Sequence, residues 1–100
     1  MVKHIILWNL KDEYDDVRKE EIKAGIKKSL EALNGVVPGL IKLEIVTDTL
    51  PTATCDLMLY SELESPEALK GYAVHPEHVH AADTYVRPYT KTRTCIDFEA

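Results

Sequence analysis

The sequence of 100 residues predicts a single α+β domain whose elements follow the order strand, helix, strand, strand, helix, strand. Three observations support this prediction. A long apolar stripe with helical spacing and a later proline-initiated segment indicate two helices. Four segments with strand-like alternation surround the helices. Two of these strands are apolar on both faces, which indicates a sheet that is covered on both sides.

The first predicted strand covers residues 2–10. In an antiparallel α+β protein, the sheet face away from the helices is normally polar. Two helices can cover only one face, so we expect a second copy of the chain to cover the other. Both faces of this strand are largely apolar, with His4, Ile6, Trp8 and Leu10 on one and Lys3, Ile5, Leu7 and Asn9 on the other.

The first helix is predicted over residues 17–33, where one apolar stripe repeats with helical spacing. Asp15 and Asp16 precede it, and their carboxylates suit the positive end of a helix. Asn34-Gly35 is a typical helix stop. The stripe consists of Ile22, Ile26, Leu30 and Leu33.

Two further strands are predicted over residues 40–48 and 55–61, with a loop containing Pro51 between them. The first alternates apolar and charged side chains, which is typical of a half-buried strand. The second is apolar on both faces, so we expect it in the centre of the sheet. Cys55 and Cys95 both fall in strand-like segments, and we expect two buried free thiols, with a disulfide between them as the alternative that the sequence leaves open.

The second helix is predicted to begin at Pro66, with Ser65 as its N-cap, and to run to about Tyr72. Pro76 lacks an amide hydrogen and disfavours helical geometry at the residue before it. We therefore expect a kink there, followed by a further helical segment that ends near Val86.

The last strand is predicted over residues 90–98, with Arg93, Cys95 and Asp97 on one face. We interpret its charged residues as surface or interface groups as readily as functional ones. The complete order is the ferredoxin-like βαββαβ arrangement, a four-stranded antiparallel sheet with both helices on one face. Packing of the open sheet faces of two copies would give a homodimeric α/β barrel.

Charge and hydropathy exclude several classes of protein. The net charge of −5 argues against binding to nucleic acid or to an anionic membrane surface. No apolar run approaches the roughly 18 residues that a membrane helix needs. The N-terminus enters a strand-like pattern directly and lacks the features of a signal peptide, so we expect a cytoplasmic protein.

Residues 71–80 hold three of the four histidines and are the main candidate for chemistry. The kink at Pro76 allows Tyr72 and His78 to converge on one spot. His78 lies in the first turn of the new helical segment, where the helix dipole favours the neutral imidazole. A neutral imidazole and a phenol are a plausible proton-transfer pair. The simpler interpretation is that both are ordinary hydrogen-bonding residues.

Two further expectations concern the surroundings of this pair. Helical spacing places Ala82 and Tyr85 on the same face as His78. His4 lies on a strand that is apolar on both sides, so its side chain needs a partner. We expect the second helix to cover His4, which would make it the third member of the site or a structural histidine bonded to the backbone.

No metal site or bound cofactor is predicted. His75, His78 and His80 are spaced at i, i+3 and i+5, without the helical i, i+4 pair or the cysteine pairs of closed sites. Glycine-rich phosphate loops and the motifs of serine or cysteine nucleophiles are also absent. A cation bound by backbone carbonyls around residues 34–38 would leave no signature in the sequence and stays open.

Three segments resemble the stress-responsive A/B barrel (Dabb) family, and the resemblance extends over the whole chain. It implies one Dabb domain over residues 1–100 that forms a dimeric α+β barrel, with a pocket between sheet and helices in each subunit. Most members of this family have no assigned reaction. The segments are Met1-Val2-Lys3-His4-Ile5-Ile6-Leu7-Trp8, Tyr72-x-x-His75-Pro76-x-His78 and Ile96-Asp97-Phe98.

A plant branch that is similar in these residues, the olivetolic acid cyclase branch, performs an aldol condensation. The resemblance to it implies that His78 acts as base, that Tyr72 supports it and that His4 lies nearby. That branch has a pocket-facing tyrosine on the first helix where this chain has Ile26.

Three hypotheses follow. The first is a homodimer that binds a small organic molecule in a pocket lined by His4, Tyr72 and His78. The second is a structural or stress-protective oligomer without catalysis. The third is a cyclase- or isomerase-like enzyme that uses His78 as general base on a carbonyl substrate.

Overall fold

The computed structural model describes residues 1–100, and its elements follow the predicted order with one addition. The second helical region is divided into two helices and a short π-helical segment. The elements are β1 (Val2–Leu10), α1 (Asp16–Glu31), β2 (Leu40–Val46), β3 (Leu57–Leu63), α2 (Pro66–Val74), α3 (Pro76–Ala81), the π-helical segment (Ala82–Val86) and β4 (Thr90–Glu99).

The four strands form one antiparallel sheet in the order β2-β3-β1-β4. The central strands are β1 and β3, which are the two strands that the sequence predicts to be apolar on both faces. The helices lie on one face of this sheet, so the predicted ferredoxin-like arrangement is confirmed.

The hydrophobic core lies between the helices and the helix-side face of the sheet. Every second residue of β1 is buried, from Val2 to Leu10. The predicted stripe of α1 is buried against this face, and Ile26 is completely inaccessible. Burying one such side chain contributes about 1.5–3 kcal/mol to folding. The side chains that recur every two residues along β1 and those that recur about every 3.6 residues along α1 therefore form one core.

Local polar contacts fix the ends of the helices. The carboxylate of Asp15 accepts a hydrogen bond from the Arg18 amide at 2.8 Å, and this defines the start of α1. His75 occupies the kink before Pro76, and its Nδ1 accepts a hydrogen bond from the Glu77 amide at 3.1 Å. His75 therefore caps α3.

The π-helical segment corrects one prediction about the second helical region. The amide of Arg87 donates to the carbonyl of Ala82 at 2.8 Å, a spacing of five residues. This wider turn places Val86 on the face of His78 and Ala82, and leaves Tyr85 exposed on another side. The expectation for Tyr85 was wrong because it assumed a regular α-helix.

The predicted burial of the two cysteines was also wrong. Both thiols are free, but Cys55 is only half-buried and lies before β3 begins at Leu57. Cys95 is exposed because β4 is an edge strand that pairs only with β1. The helices make few contacts with β4, so the side chains on its helix-side face stay exposed although they alternate as in a buried strand.

The second face of the sheet is uncovered and partly apolar. Ile96 and Phe98 of β4 are 57% and 41% exposed on this face. Ile96 pairs directly with Ile5 of β1, and Leu7 lies further along the same face. Alternating residues of β1 therefore contact the core on one side and this open face on the other.

None of the helices is both long and apolar enough to span a lipid bilayer.

Gly39 provides a test of how the turn before β2 packs against α2. Both Gly35 and Gly39 have left-handed backbones, with φ of 80° and 81°, so alanine strains either position. At Gly39 an added Cβ would also lie 2.6 Å from the Cβ of Ala68, whereas Gly35 faces open space. We expect Gly39→Ala to lower the free energy of unfolding by about 1–3 kcal/mol more than Gly35→Ala. Urea unfolding at fixed protein concentration measures both losses, and equal losses would contradict this packing.

Candidate functional site

A cavity of about 120 Å³ lies between the helix-side face of the sheet and the second helical region. Fourteen residues line it, and nine of them are hydrophobic. The structure brings all three residues singled out from the sequence, His4, Tyr72 and His78, to this one cavity. β1 supplies His4, α2 supplies Tyr72 and α3 supplies His78.

Tyr72 lies between the two imidazoles. Its ring centroid is 4.3 Å from that of His78, with 37° between the planes. The ring centroid of His4 is 5.9 Å from that of Tyr72, in an edge-on arrangement. Residues 72 and 78 come this close because the chain turns at Pro76 between two short helices.

The hydroxyl of Tyr72 is the unusual polar group of this structure. The side chain is only 2% exposed, and its hydroxyl makes no hydrogen bond to any protein group. More than nine in ten buried polar groups in proteins are paired. Burial strongly raises the pKa of the phenol above its usual value, so the hydroxyl keeps its proton and can donate it to a hydrogen bond.

His78 is half-buried, and its Nδ1 lies 3.2 Å from the carbonyl oxygen of Ala73. A carbonyl can only accept, so this contact assigns the proton to Nδ1 and the lone pair to Nε2. Burial is the main cause that lowers the pKa of His78, and the positive charges of Arg87 and Arg93 add to it. His78 is therefore neutral at pH 7 and able to accept a proton.

His4 has a different partner from the one the sequence suggests. Its Nδ1 bonds to the carboxylate of Asp97, which lies directly opposite on β4. The side chain of Ser61 donates to the backbone carbonyl of His4 at 2.8 Å from the other neighbouring strand. Neither the second helix nor the backbone satisfies the imidazole, because the register of β1 against β4 places a carboxylate within reach.

Sequence reasoning missed Arg93 and Asp97 as residues of this region. Alternation placed both on one face of the last strand, but it did not show which residues of β1 they meet. In the structure Arg93 pairs with Trp8 and lines the cavity, and Asp97 pairs with His4. A correct register between the first and last strands was the missing signal.

The strongest potential metal ligands are His4, Cys95 and Asp97, whose ligand atoms all lie within 4.8 Å of one another. Nitrogen, sulfur and carboxylate oxygen are ligands that zinc accepts. Here, however, His4 and Asp97 are bonded to each other, and burial together with Asp97 raises the pKa of the Cys95 thiol. A metal would have to displace protons from this cluster. The three histidines of residues 71–80 do not converge, since His75 caps α3 and His80 is exposed.

Residues 2–100 match the family described as Stress responsive A/B Barrel Domain (Dabb). A dimeric protein of unknown function with a ferredoxin-like fold from Bacteroides fragilis NCTC 9343 is 33% identical, with a TM-score of 0.91 over 99% of this chain and 95% of that one. No functionally curated protein matches the sequence.

More distant solved structures share the fold. A Dabb family protein from Mesorhizobium loti is 19% identical, with a TM-score of 0.75 over 99% of this chain and 95% of that one. A hydroxynitrile lyase from Passiflora edulis is 16% identical, with a TM-score of 0.72 over 97% and 90%. The family match over residues 2–100, the fold and the residue pattern agree, so the chain belongs to the stress-responsive A/B barrel (Dabb) family.

Proposed function

We propose that this Dabb protein is a homodimer that binds a small organic molecule in the cavity lined by His4, Tyr72 and His78. The observation that carries the proposal is the buried hydroxyl of Tyr72, which has no partner in the protein. An unpaired buried hydroxyl costs about 1–3 kcal/mol. A ligand with a hydrogen-bond acceptor would remove that cost, so the cavity favours a ligand of this kind.

The size of the cavity limits the ligand. Its volume of about 120 Å³ is close to that of an engineered apolar cavity of about 150 Å³ that takes up benzene. Pockets for drug-sized molecules are larger, at roughly 300–1,000 Å³. The proposed ligand is therefore a molecule of about one ring, or a short chain, with an oxygen acceptor that reaches the phenol.

Catalysis is the second candidate, and the state of His78 favours it. A neutral His78 with its lone pair on Nε2 can remove a proton from a carbon next to a carbonyl group. The negative charge then develops on the carbonyl oxygen, where the protonated Tyr72 can donate a hydrogen bond. The Passiflora edulis lyase shares only the fold with this chain, so its substrate gives no guidance here.

The homodimer uses the other face of the sheet in this proposal. Ile96 and Phe98 are exposed there beside the half-buried Ile5 and Leu7. The Bacteroides fragilis relative is described as dimeric. Packing of two such faces would remove apolar surface from water, at about 25 cal/mol for each Å² buried.

Tyr72→Phe separates a ligand-binding hydroxyl from a structural one. Because the hydroxyl has no protein partner, we expect its removal to leave the free energy of unfolding unchanged or to raise it by up to about 1 kcal/mol. We also expect single-ring carbonyl compounds to bind about fivefold more weakly, the value of one hydrogen bond. Urea unfolding and NMR shift titration of the indole N–H of Trp8, the only tryptophan, measure the two effects.

Tyr60→Phe is the matched control for this variant. Its hydroxyl donates to Glu62 on the open face, away from the cavity. We expect this variant to lower the free energy of unfolding by about 1 kcal/mol and to bind single-ring carbonyl compounds as tightly as the wild type. If no compound shifts the signals of the cavity residues, ligand binding is wrong and the structural oligomer becomes the better account.

The titration of His78 tests its role as a base. We expect the NMR signals of its ring to titrate below the ordinary value of about 6.5 because burial disfavours the imidazolium. Between the folded and unfolded pKa values the unfolded chain binds more protons, so the contribution of His78 to stability falls as the pH drops below about 6.5. When the pH is lowered from about 7.5 to about 5.5, the free energy of unfolding should therefore fall less for His78→Gln than for the wild type. Titration of His78 at or above the ordinary value would contradict the neutral base.

Ile96→Asp tests the dimer interface. A carboxylate buried there without a partner costs about 3 kcal/mol, and a symmetric dimer carries two of them, so we expect the dimer to weaken by at least roughly a hundredfold. We expect light scattering at micromolar concentration to show the dimer mass for the wild type and a shift towards monomer for the variant. Val17→Asp is the control, since Val17 is 72% exposed on α1, away from the sheet. A monomeric wild type, or equal masses for all three proteins, would contradict this interface.

A further inference from the structure

The charge of the cavity differs from that of the protein as a whole. The chain has 17 acidic and 12 basic residues and a net charge of −5. None of the 14 residues that line the cavity is acidic, although two arginines and two histidines are among them. In a protein with an excess of carboxylates, this arrangement makes the cavity a locally positive region.

The two arginines differ in how they are neutralised. Arg87 forms an ion pair with Asp83, one turn earlier in the second helical region. Arg93 forms no ion pair with any carboxylate of the chain within 4.0 Å. Arg93 is therefore the cationic side chain of the cavity whose charge is left without a counterion.

The neighbours of Arg93 on β4 leave this charge uncompensated. Cys95 is the next residue along this face of β4, and the pKa of its thiol is raised, so the group is neutral at pH 7. Asp97 lies further along the same face and is bonded to the imidazole of His4. The positive charge of Arg93 acts on the cavity itself. It lowers the pKa of His78 in the same direction as burial does, and it lowers the pKa of Tyr72 against the larger effect of burial.

The guanidinium and the phenol supply complementary hydrogen-bond donors. Arg93 offers several N–H donors in a planar fork, and Tyr72 offers one O–H without a protein partner. A carboxylate can accept from both, and its bonds to a guanidinium are charge-assisted. Apolar side chains such as Ile6, Leu59 and Val86 line the remainder of the cavity and suit a hydrocarbon ring or chain.

We propose that the ligand of this cavity is a small organic anion, a carboxylate on a single ring or short chain, and that Arg93 binds its charge. This inference rests on the proposed function, because it requires that the cavity bind an organic molecule. It adds the charge of the ligand and the residue that selects it. Arg93 lies on the edge strand β4, so the carboxylate would sit on the β4 side of the cavity, with the apolar part against the hydrophobic lining.

The test compares benzoate with benzamide, which has nearly the same shape and no charge. Trp8 lines the cavity and is the only tryptophan, so its indole N–H gives one NMR signal that reports on occupancy. We expect benzoate to bind at least about tenfold more tightly than benzamide, as befits one charge-assisted hydrogen bond. Added salt should weaken benzoate and leave benzamide unchanged.

Arg93→Gln should reduce the affinity for benzoate to about that for benzamide. Lys91→Gln is the matched control, since Lys91 lies on the same strand, its replacement removes the same charge, and it pairs with Asp12 outside the cavity. It should keep the preference for benzoate. Thermal unfolding verifies that both variants fold, and the salt dependence of the wild type tests the anion preference without any variant.

The outcomes distinguish the two proposals. If neither compound shifts the Trp8 signal, the binding function itself is wrong. If both bind equally well to the wild type, the cavity binds organic molecules without regard to charge and the anion inference is overturned. If benzoate is preferred and Arg93→Gln leaves that preference intact, the assignment to Arg93 is wrong.

Discussion

The pairing of β1 with β4 is the interaction on which the site depends. In antiparallel pairs, residues directly opposite each other share a face of the sheet. The observed register places Asp97 opposite His4 and Arg93 opposite Trp8. A shift by one residue would turn these β4 side chains to the open face. The hydrogen bond of His4 and the positive charge of the cavity therefore both follow from one backbone alignment.

Contacts between residues close together in the sequence could be predicted, whereas contacts between residues far apart could not. Tyr72 and His78 are six residues apart with a proline between them, so local rules were enough to bring them together. Arg93 and Asp97 lie about ninety residues from their partners on β1, and alternation gives their face but not their register. The fold itself could be predicted because the apolar pattern of β1 and the apolar stripe of α1 each show which side of the element faces the core. Cys95 and Tyr85 were misplaced because an edge strand and a π-helical turn carry no clear sequence signal.

Several polar and charged groups around the cavity have no partner within the protein that compensates for their burial or their charge. The hydroxyl of Tyr72 lacks a partner, His78 is kept neutral by burial, and Arg93 forms no ion pair. Elsewhere polar groups are paired, as in the Ser61 bond to β1 and the Asp15 cap. Natural sequences tend to satisfy local preferences throughout, and departures cluster where a protein acts on something else. Three such departures in one cavity are a stronger indication of a ligand than any histidine motif.

The same strands give the protein two separate surfaces. Successive side chains of a strand point to opposite faces, so His4 and Ile6 contribute to the cavity side while Ile5 and Leu7 contribute to the open face. A substitution on one face leaves the side chains of the other in place, and only the shared backbone of β1 and β4 connects them. The proposed dimer interface and the proposed ligand site therefore use different side chains and share only the register of β1 and β4. In the proposed homodimer the cavity residues are not those that meet a second copy, so substitutions in the cavity would change ligand binding without altering the interface.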